Sequence, residues 1–175
     1  DPDGDTLVVS AVNGLAGNIG TSVAGSNGGT FTVLSDGSYT FNPGTAFDDL
    51  AAGEIRTTAI AYTASDLEGG VSSTTLTVTV TGTNDTPQST ALAAQTNADG
   101  DMITLDVSGS FSDPDTTDVL AFSAGGTLPP GLSISAAGII SGTIDHSASV
   151  GGPYTVTITA TDLSGATTSQ NFLWT

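Results

Sequence analysis

From Thr77 to Thr81 the chain reads Thr-Val-Thr-Val-Thr, apolar and polar side chains taking turns. A period of two of this kind predicts a strand with one buried face. The same alternation of Thr, Ser, Val and Ile recurs throughout. It predicts strands over 6–12, 29–34, 38–42, 56–64 and 71–81, then over 102–107, 119–124, 132–135, 138–143, 154–161 and 168–175. Asp36-Gly37 between two of them is a hairpin signal. Helical periodicity is nearly missing, and only "TAFDDLAAGE" (45–54) reads as a helical turn. Short strands separated by Gly, Pro, Asn and Asp predict an all-β chain of sandwich architecture.

An internal repeat sets the domain count. "ASDLEGG" from Ala64 aligns with "ATDLSGA" from Ala160, pairing Asp66 with Asp162, Leu67 with Leu163 and Gly69 with Gly165. A second match pairs Asp1-Pro2-Asp3 with Asp113-Pro114-Asp115, each ahead of a strand with Leu near its start, Leu7 and Leu120. Two copies of one module explain both matches, each of roughly 85 residues, a size that suits one sandwich. The boundaries read as 1–82 and 88–175, two tandem Greek-key β-sandwiches joined by a linker at 83–87.

Composition narrows the function. The chain of 175 residues carries 18 acidic side chains against Arg56 alone, for a net charge of −17. Nucleic acid and anionic lipid would both repel it, and no apolar run approaches the roughly 18 residues of a membrane span. All the acids but Glu54 and Glu68 are Asp. The short Asp side chain suits turns and loop-borne cation sites, whereas a merely solvated surface draws on Glu as well. Cys is absent, so an extracellular domain of this size would need a staple other than a disulfide, and a bound cation is one. The sequence reads as a fragment of a longer exported protein.

The acids gather where the modules join. "TVTVTGTNDTPQ" (77–88) is a strand broken by Gly82 and barred from resuming by Pro87, with Asn84 and Asp85 between. In each module the last strand leaves the loop that carries Asp66 or Asp162, so that loop lies at the module's entry end. The Asp113-Pro114-Asp115 loop precedes an antiparallel strand and reaches the same end. Asn84, Asp85, Asp113, Asp115 and Asp162 thereby fall in one small volume, four carboxylates and an amide oxygen. Left bare they repel. Ca²⁺ accepts 6–8 oxygen ligands in irregular geometry, while Mg²⁺ demands a tighter octahedron. Zn²⁺ prefers Cys and His, and His146 is the one His.

These motifs carry a resemblance. "GTNDTPQ" is similar to the linker of cadherin-type repeats, "DPD" to their D-x-D loop and "ATDLSG" to their A-x-D loop. Residues 1–86 resemble the VCBS-type cadherin-like repeats of bacterial RTX adhesins. Residues 88–175 resemble the dystroglycan-type, Ig-like cadherin variant through "FSDPDTTDVLAFSAGGTLPPGLSISAAGIISGT". The resemblance implies Ca²⁺ bound between successive domains, stiffening an extracellular rod on a bacterial surface. It makes Asn84, Asp85, Asp113, Asp115 and Asp162 ligands, nominates Glu54 as an acidic ligand at the base of the upper domain, and makes Asp1, Asp3 and Asp66 the equivalent half-site of module one. Gly82 and Thr86 stand where animal cadherins carry further ligands, which implies one or two ions rather than three. The partners it implies are neighbouring repeats of the same polypeptide, together with cell-surface or matrix polysaccharide.

Other chemistry is weaker. Asp145-His146-Ser147 are adjacent, and triads are assembled from separate segments. Glu54 and Glu68 have no cleft between them to make a glycosidase pair. No catalytic role is expected. Trp174, Tyr154 and Phe172 fall on closing strands and read as core, which leaves a carbohydrate-binding or self-associating module, or a passive acidic spacer, as the alternatives. Asp99, Asp101 and Asp145 read as solvated loop residues, and "LPPGL" (128–132) as a Pro-set corner.

Overall fold

A computed structural model of the chain describes Asp1 and residues 3–175; Pro2 of the first Asp-Pro-Asp motif lies outside the described residues. The chain divides into two compact units, Asp1–Thr83 and Asn84–Thr175. Asn84–Pro87, read from the sequence as linker, count with the second unit, because Asn84 and Asp85 hydrogen-bond to its loops.

In the first unit, β1 (Val8–Val12), β5 (Ile55–Ser65) and β6 (Val71–Thr81) form one sheet in the order β1-β5-β6. Strands β2 (Ser22–Ala24), β3 (Thr30–Val33) and β4 (Tyr39–Asn42) form the other. The inward positions of both sheets supply the core: Val9, Val12, Phe31, Val33 and Ile60. The β3–β4 turn is the one Asp36-Gly37 predicts: Gly37 takes φ +85°, and Asp36 Oδ1 accepts the N–H and Oγ–H of Ser38 at 2.9 and 2.6 Å. Residues 45–54 do not form the expected helical turn; they run as consecutive turns. Phe47, Leu50 and Ala51 have helical spacing, but they are buried by turns that pack Phe47 edge-on to Phe41. Gly82 closes the unit, its N–H donating to Glu54 O at 2.8 Å. A Cβ there would stand 2.3 Å from Leu50 O, which accounts for the missing side chain at that position.

In the second unit, β10 (Ala121–Gly126), β13 (Tyr154–Thr161) and β14 (Thr167–Trp174) form one sheet. Strands β8 (Met102–Asp106), β11 (Leu132–Ile134) and β12 (Ile139–Thr143) form the second, in the order β11-β12-β8. A short pair, β7 (Gln88–Ser89) with β9 (Phe111–Ser112), completes the unit. Val107, Phe111, Ile140, Val156, Ile158, Ala160, Phe172 and Trp174 are its buried core, with Leu128 and Leu132 of the Pro corner packed against it. The strand expected at 119–124 starts at Ala121, opposite Thr161 where β13 ends, and leaves Val119 exposed. The short helix α1 (Ala148–Gly151) was not legible in the sequence.

Candidate metal centre

The β7–β9 pair sets the register of the site. Gln88 lies opposite Ser112 and Ser89 opposite Phe111. Continued by three residues, that antiparallel register brings Asp85 alongside Asp115, and Asp85 N–H donates to Asp115 Oδ2 at 2.9 Å. Asp113 Oδ1 accepts the N–H of Asp115 at 3.0 Å, an Asx-turn that folds the loop back on itself. Asp118 N–H donates to Asp115 O at 3.0 Å, holding the next turn.

Asp162 comes from the far side, at the end of β13. Its Oδ1 accepts Ala166 N–H at 2.8 Å, closing the turn into β14, where Gly165 takes φ +92°. Its Oδ2 accepts the Asn84 amide Nδ2–H at 2.9 Å, and Asn84 Nδ2 also donates to Asp85 O at 2.7 Å. Asp118 Oδ2 accepts Leu163 N–H at 3.3 Å, joining the two loops.

Asp113, Asp118 and Asp162 each bring a carboxylate oxygen within 4.8 Å of the others, the one such acidic group of three among the described residues. Asp118 is absent from the sequence-derived set. A signal for it existed: an Asp precedes the Leu-bearing segment in both copies, as Asp5 in "DPDGD" and Asp118 in "DPDTTD".

Like charges at such distances repel by about 3 kcal/mol per pair at an effective dielectric of about 20. The second unit contains no Lys or Arg to offset them. Burial, and then the charges of Asp115, Asp118 and Asp162, push the Asp113 carboxyl above its ordinary range, against the pull of the Asp115 N–H. Asp162 moves the other way: the Asn84 amide, helped by backbone N–H groups of the turn, holds it low despite burial.

Three oxygens in this cluster, Asn84 Oδ1, Asp113 Oδ2 and Asp115 Oδ1, are buried with no hydrogen-bond partner among the described residues. Asp115 is 1% exposed. An unsatisfied buried oxygen is costly, and three together, two of carboxylates and one of an amide, call for a shared electropositive partner. The donor set is all oxygen, with neither Cys nor His, as hard divalent cations require, so these residues fit Ca²⁺.

The other expected ligands are placed elsewhere. Glu54 belongs to the first unit, where its Oε2 accepts Ala51 N–H at 3.1 Å. Asp1 and Asp66 line one cavity of the first unit with Leu7, Ala64 and Gly70. Asp66 Oδ1 accepts Glu68 and Gly70 N–H, both at 2.8 Å, and Asp1 Oδ1 accepts Asp3 N–H at 2.8 Å. Asp1, Asp3 and Asp66 do not converge as a group of three carboxylates. Asp145 Oδ1 accepts the N–H and Oγ–H of Ser147 at 2.8 and 2.6 Å, so the Asp-His-Ser run is a local turn. Trp174 and Phe172 are buried at 2% and 6% exposure, and present no aromatic face for stacking.

Comparison with known proteins agrees with this architecture. Residues 84–175 match the family described as "Putative Ig domain", and residues 1–79 match the "Bacterial Ig domain" family. Among solved structures, the human CDH23 EC21-23 crystal structure is similar at TM-score 0.59 and 17% identity, over 99% of this chain and 63% of that one. Mouse Cadherin-23 EC22-24 is similar at TM-score 0.50 and 12% identity, over 86% of this chain and 50% of that one. The chain thus spans less than two thirds of either. At these identities the likeness concerns the fold, tandem cadherin-like and Ig-like repeats. No curated protein matches the chain.

Proposed function

Starting from a chain that belongs to the Putative Ig domain family over more than half its length, we propose that it is a non-catalytic extender segment of an extracellular bacterial adhesin, its second repeat binding Ca²⁺. Asn84, Asp113, Asp115, Asp118 and Asp162 hold the ion. By drawing residues 84–87 onto the loops of the second repeat, it removes freedom from the segment that follows the first, which stiffens the connection. The observation that carries this reading is the set of buried, unpartnered oxygens on Asn84, Asp113 and Asp115 in a unit with no basic side chain. The match of residues 1–79 to a bacterial Ig family supports the surface role.

Affinity of loop-borne extracellular sites is modest, with Kd on the order of 10⁻⁴–10⁻³ M. Titration calorimetry with Ca²⁺ should give saturable heat in that range, and chelation should broaden the interdomain distances seen by small-angle scattering while both sandwiches stay folded. Absence of saturable heat would reduce the segment to a passive spacer. The carbohydrate-binding alternative gains nothing from Trp174, whose ring is enclosed in the core.

A further inference from the structure

Residues 45–54 close one end of the first unit as a strap, with Phe47, Leu50 and Ala51 buried beneath it. Two reciprocal bonds tie its end to the exit of β6. Gly53 N–H donates to Gly82 O at 3.1 Å, and Gly82 N–H to Glu54 O at 2.8 Å. Within the strap Leu50 N–H donates to Phe47 O at 3.1 Å and Glu54 N–H to Ala51 O at 2.9 Å, turn bonds that form no ladder. A segment held in this way opens at lower free energy than the sheets it covers.

One side chain spans the strap. Arg56, the single Lys or Arg of the chain, stands on β5 opposite Val80. Its Nη1 donates to Ala46 O at 3.0 Å and to Asp49 Oδ1 at 2.9 Å, and its Nη2 donates to Asp49 Oδ2 at 2.6 Å. Its guanidinium carbon lies 5.7 Å from the centre of the Phe47 ring. A carbonyl, a carboxylate and a ring from three strap residues thus meet one planar fork, a geometry Lys does not supply. At the offset that aligns Asp66 with Asp162, Asp49 falls on Asp145 and Arg56 on Gly152. Asp145 turns onto Ser147 instead, so the second unit has no such fork. The paired side chains of Arg56 and Asp49 are 33% and 41% exposed, within reach of dissolved salt.

We propose that Arg56 is a salt-sensitive latch on a strap that opens while the sandwich stays folded, and that the strap sets where the first unit stops being rigid. Latched, the strap holds Gly82, and the freedom of the chain begins at Thr83. Unlatched, Gly53 and Glu54 release Gly82, and β6 frays back toward Val80. An isolated exposed ion pair contributes little. Here the same guanidinium also holds a backbone carbonyl and covers an aromatic ring, so its removal frees the strap at three points. The strap lies wholly within the first unit, and the inference is independent of the cation site.

The test is amide hydrogen exchange of the full chain by NMR in chelator, comparing Leu50, Gly53 and Gly82 with Phe31 and Ile60 in the core strands. Arg56→Gln should speed the strap amides about tenfold and leave the core amides unchanged. Arg56→Lys restores the charge without the fork and should recover only part of the protection. Should Arg56→Gln weaken the whole first unit, Asp49→Ala, which leaves β5 untouched, decides: it too should speed the strap amides ahead of the core. In the unaltered chain about 1 M NaCl, which screens charges beyond about 3 Å, should speed the same three amides, and in Arg56→Gln it should add nothing. Strap and core amides speeding by one factor in Asp49→Ala would mean that the strap has no opening of its own. That result, unchanged Gly53 and Gly82 exchange in both variants, or a salt effect that survives Arg56→Gln would each overturn the latch.

Discussion

Asp115 is the most buried carboxylate of the cluster, and only one of its two oxygens is bonded. Asp115→Asn keeps an acceptor for Asp85 N–H while removing the charge that faces the ion. Calorimetry should show Ca²⁺ affinity falling at least tenfold, about 1.4 kcal/mol. Asp118→Asn should weaken binding comparably, although its one signal in the sequence is the Asp that ends each "DPD" loop, as Asp5 and Asp118. Its place in the site depends on how "DPDTTD" coils through the Asp115–Asp118 turn, which spacing alone does not reveal. The meeting of Asn84, Asp85, Asp113, Asp115 and Asp162 was legible because strand direction puts their loops at one end of a module, although the bond observed for Asp85 is that of its backbone N–H to Asp115. The titration behaviour of the cluster also divides by residue. Asp113, raised by burial, loses stability by ionising in the fold, and that loss is relieved as pH falls through its folded pKa toward the ordinary 3.8. Asp162, held low by Asn84, contributes stability that is complete above 3.8 and disappears as pH drops through its folded pKa. Asp106 and Asp145, lowered by Ser108 and Ser147, follow Asp162. In chelator, calorimetric melting of the second unit should therefore hold or rise slightly on acidification toward pH 4, then fall steeply below it. Asp113→Asn should abolish the rise and keep the fall.

At the scale of elements, period-two alternation located the long strands because each has one face on a core and one on solvent. Strands β7 and β9 escaped it, since two residues are too few to show a period, and the three-residue β2 was missed as well. The apolar triplet Phe47, Leu50 and Ala51 imitated a helix face, yet flanking glycines and packing on Phe41 favour turns. Nor did the sequence show why Gly82 lacks a side chain; carbonyls of Leu50 and Ala51 fill the space. Gly82→Ala must displace backbone, and overpacking of this kind typically costs about 1–3 kcal/mol. Chemical denaturation followed by NMR should show that loss in first-unit resonances, with second-unit resonances unchanged. By contrast Ile158→Ala, at a fully enclosed site beside Val156 and Ile140, should destabilise the second unit by about 2–5 kcal/mol through the cavity it leaves.

For the molecule as a whole, the decisive feature is that every proposed ligand, from Asn84 to Asp162, belongs to one unit. A ligand stabilises only the cooperative unit that binds it, by RT ln(1 + [L]/Kd). With each sandwich holding its own core, calorimetry should resolve two transitions. Calcium at a hundred times Kd should then add about 2.7 kcal/mol to the second unit and nothing to the first. The two transitions can be assigned with Ile158→Ala, which lowers only the second. Should calcium instead raise both transitions together, the ion must be shared with first-unit groups such as Glu54, and binding would couple the repeats directly. Should it raise neither, the buried oxygens of Asn84, Asp113 and Asp115 are satisfied by water, and the acidity of the chain serves hydration alone.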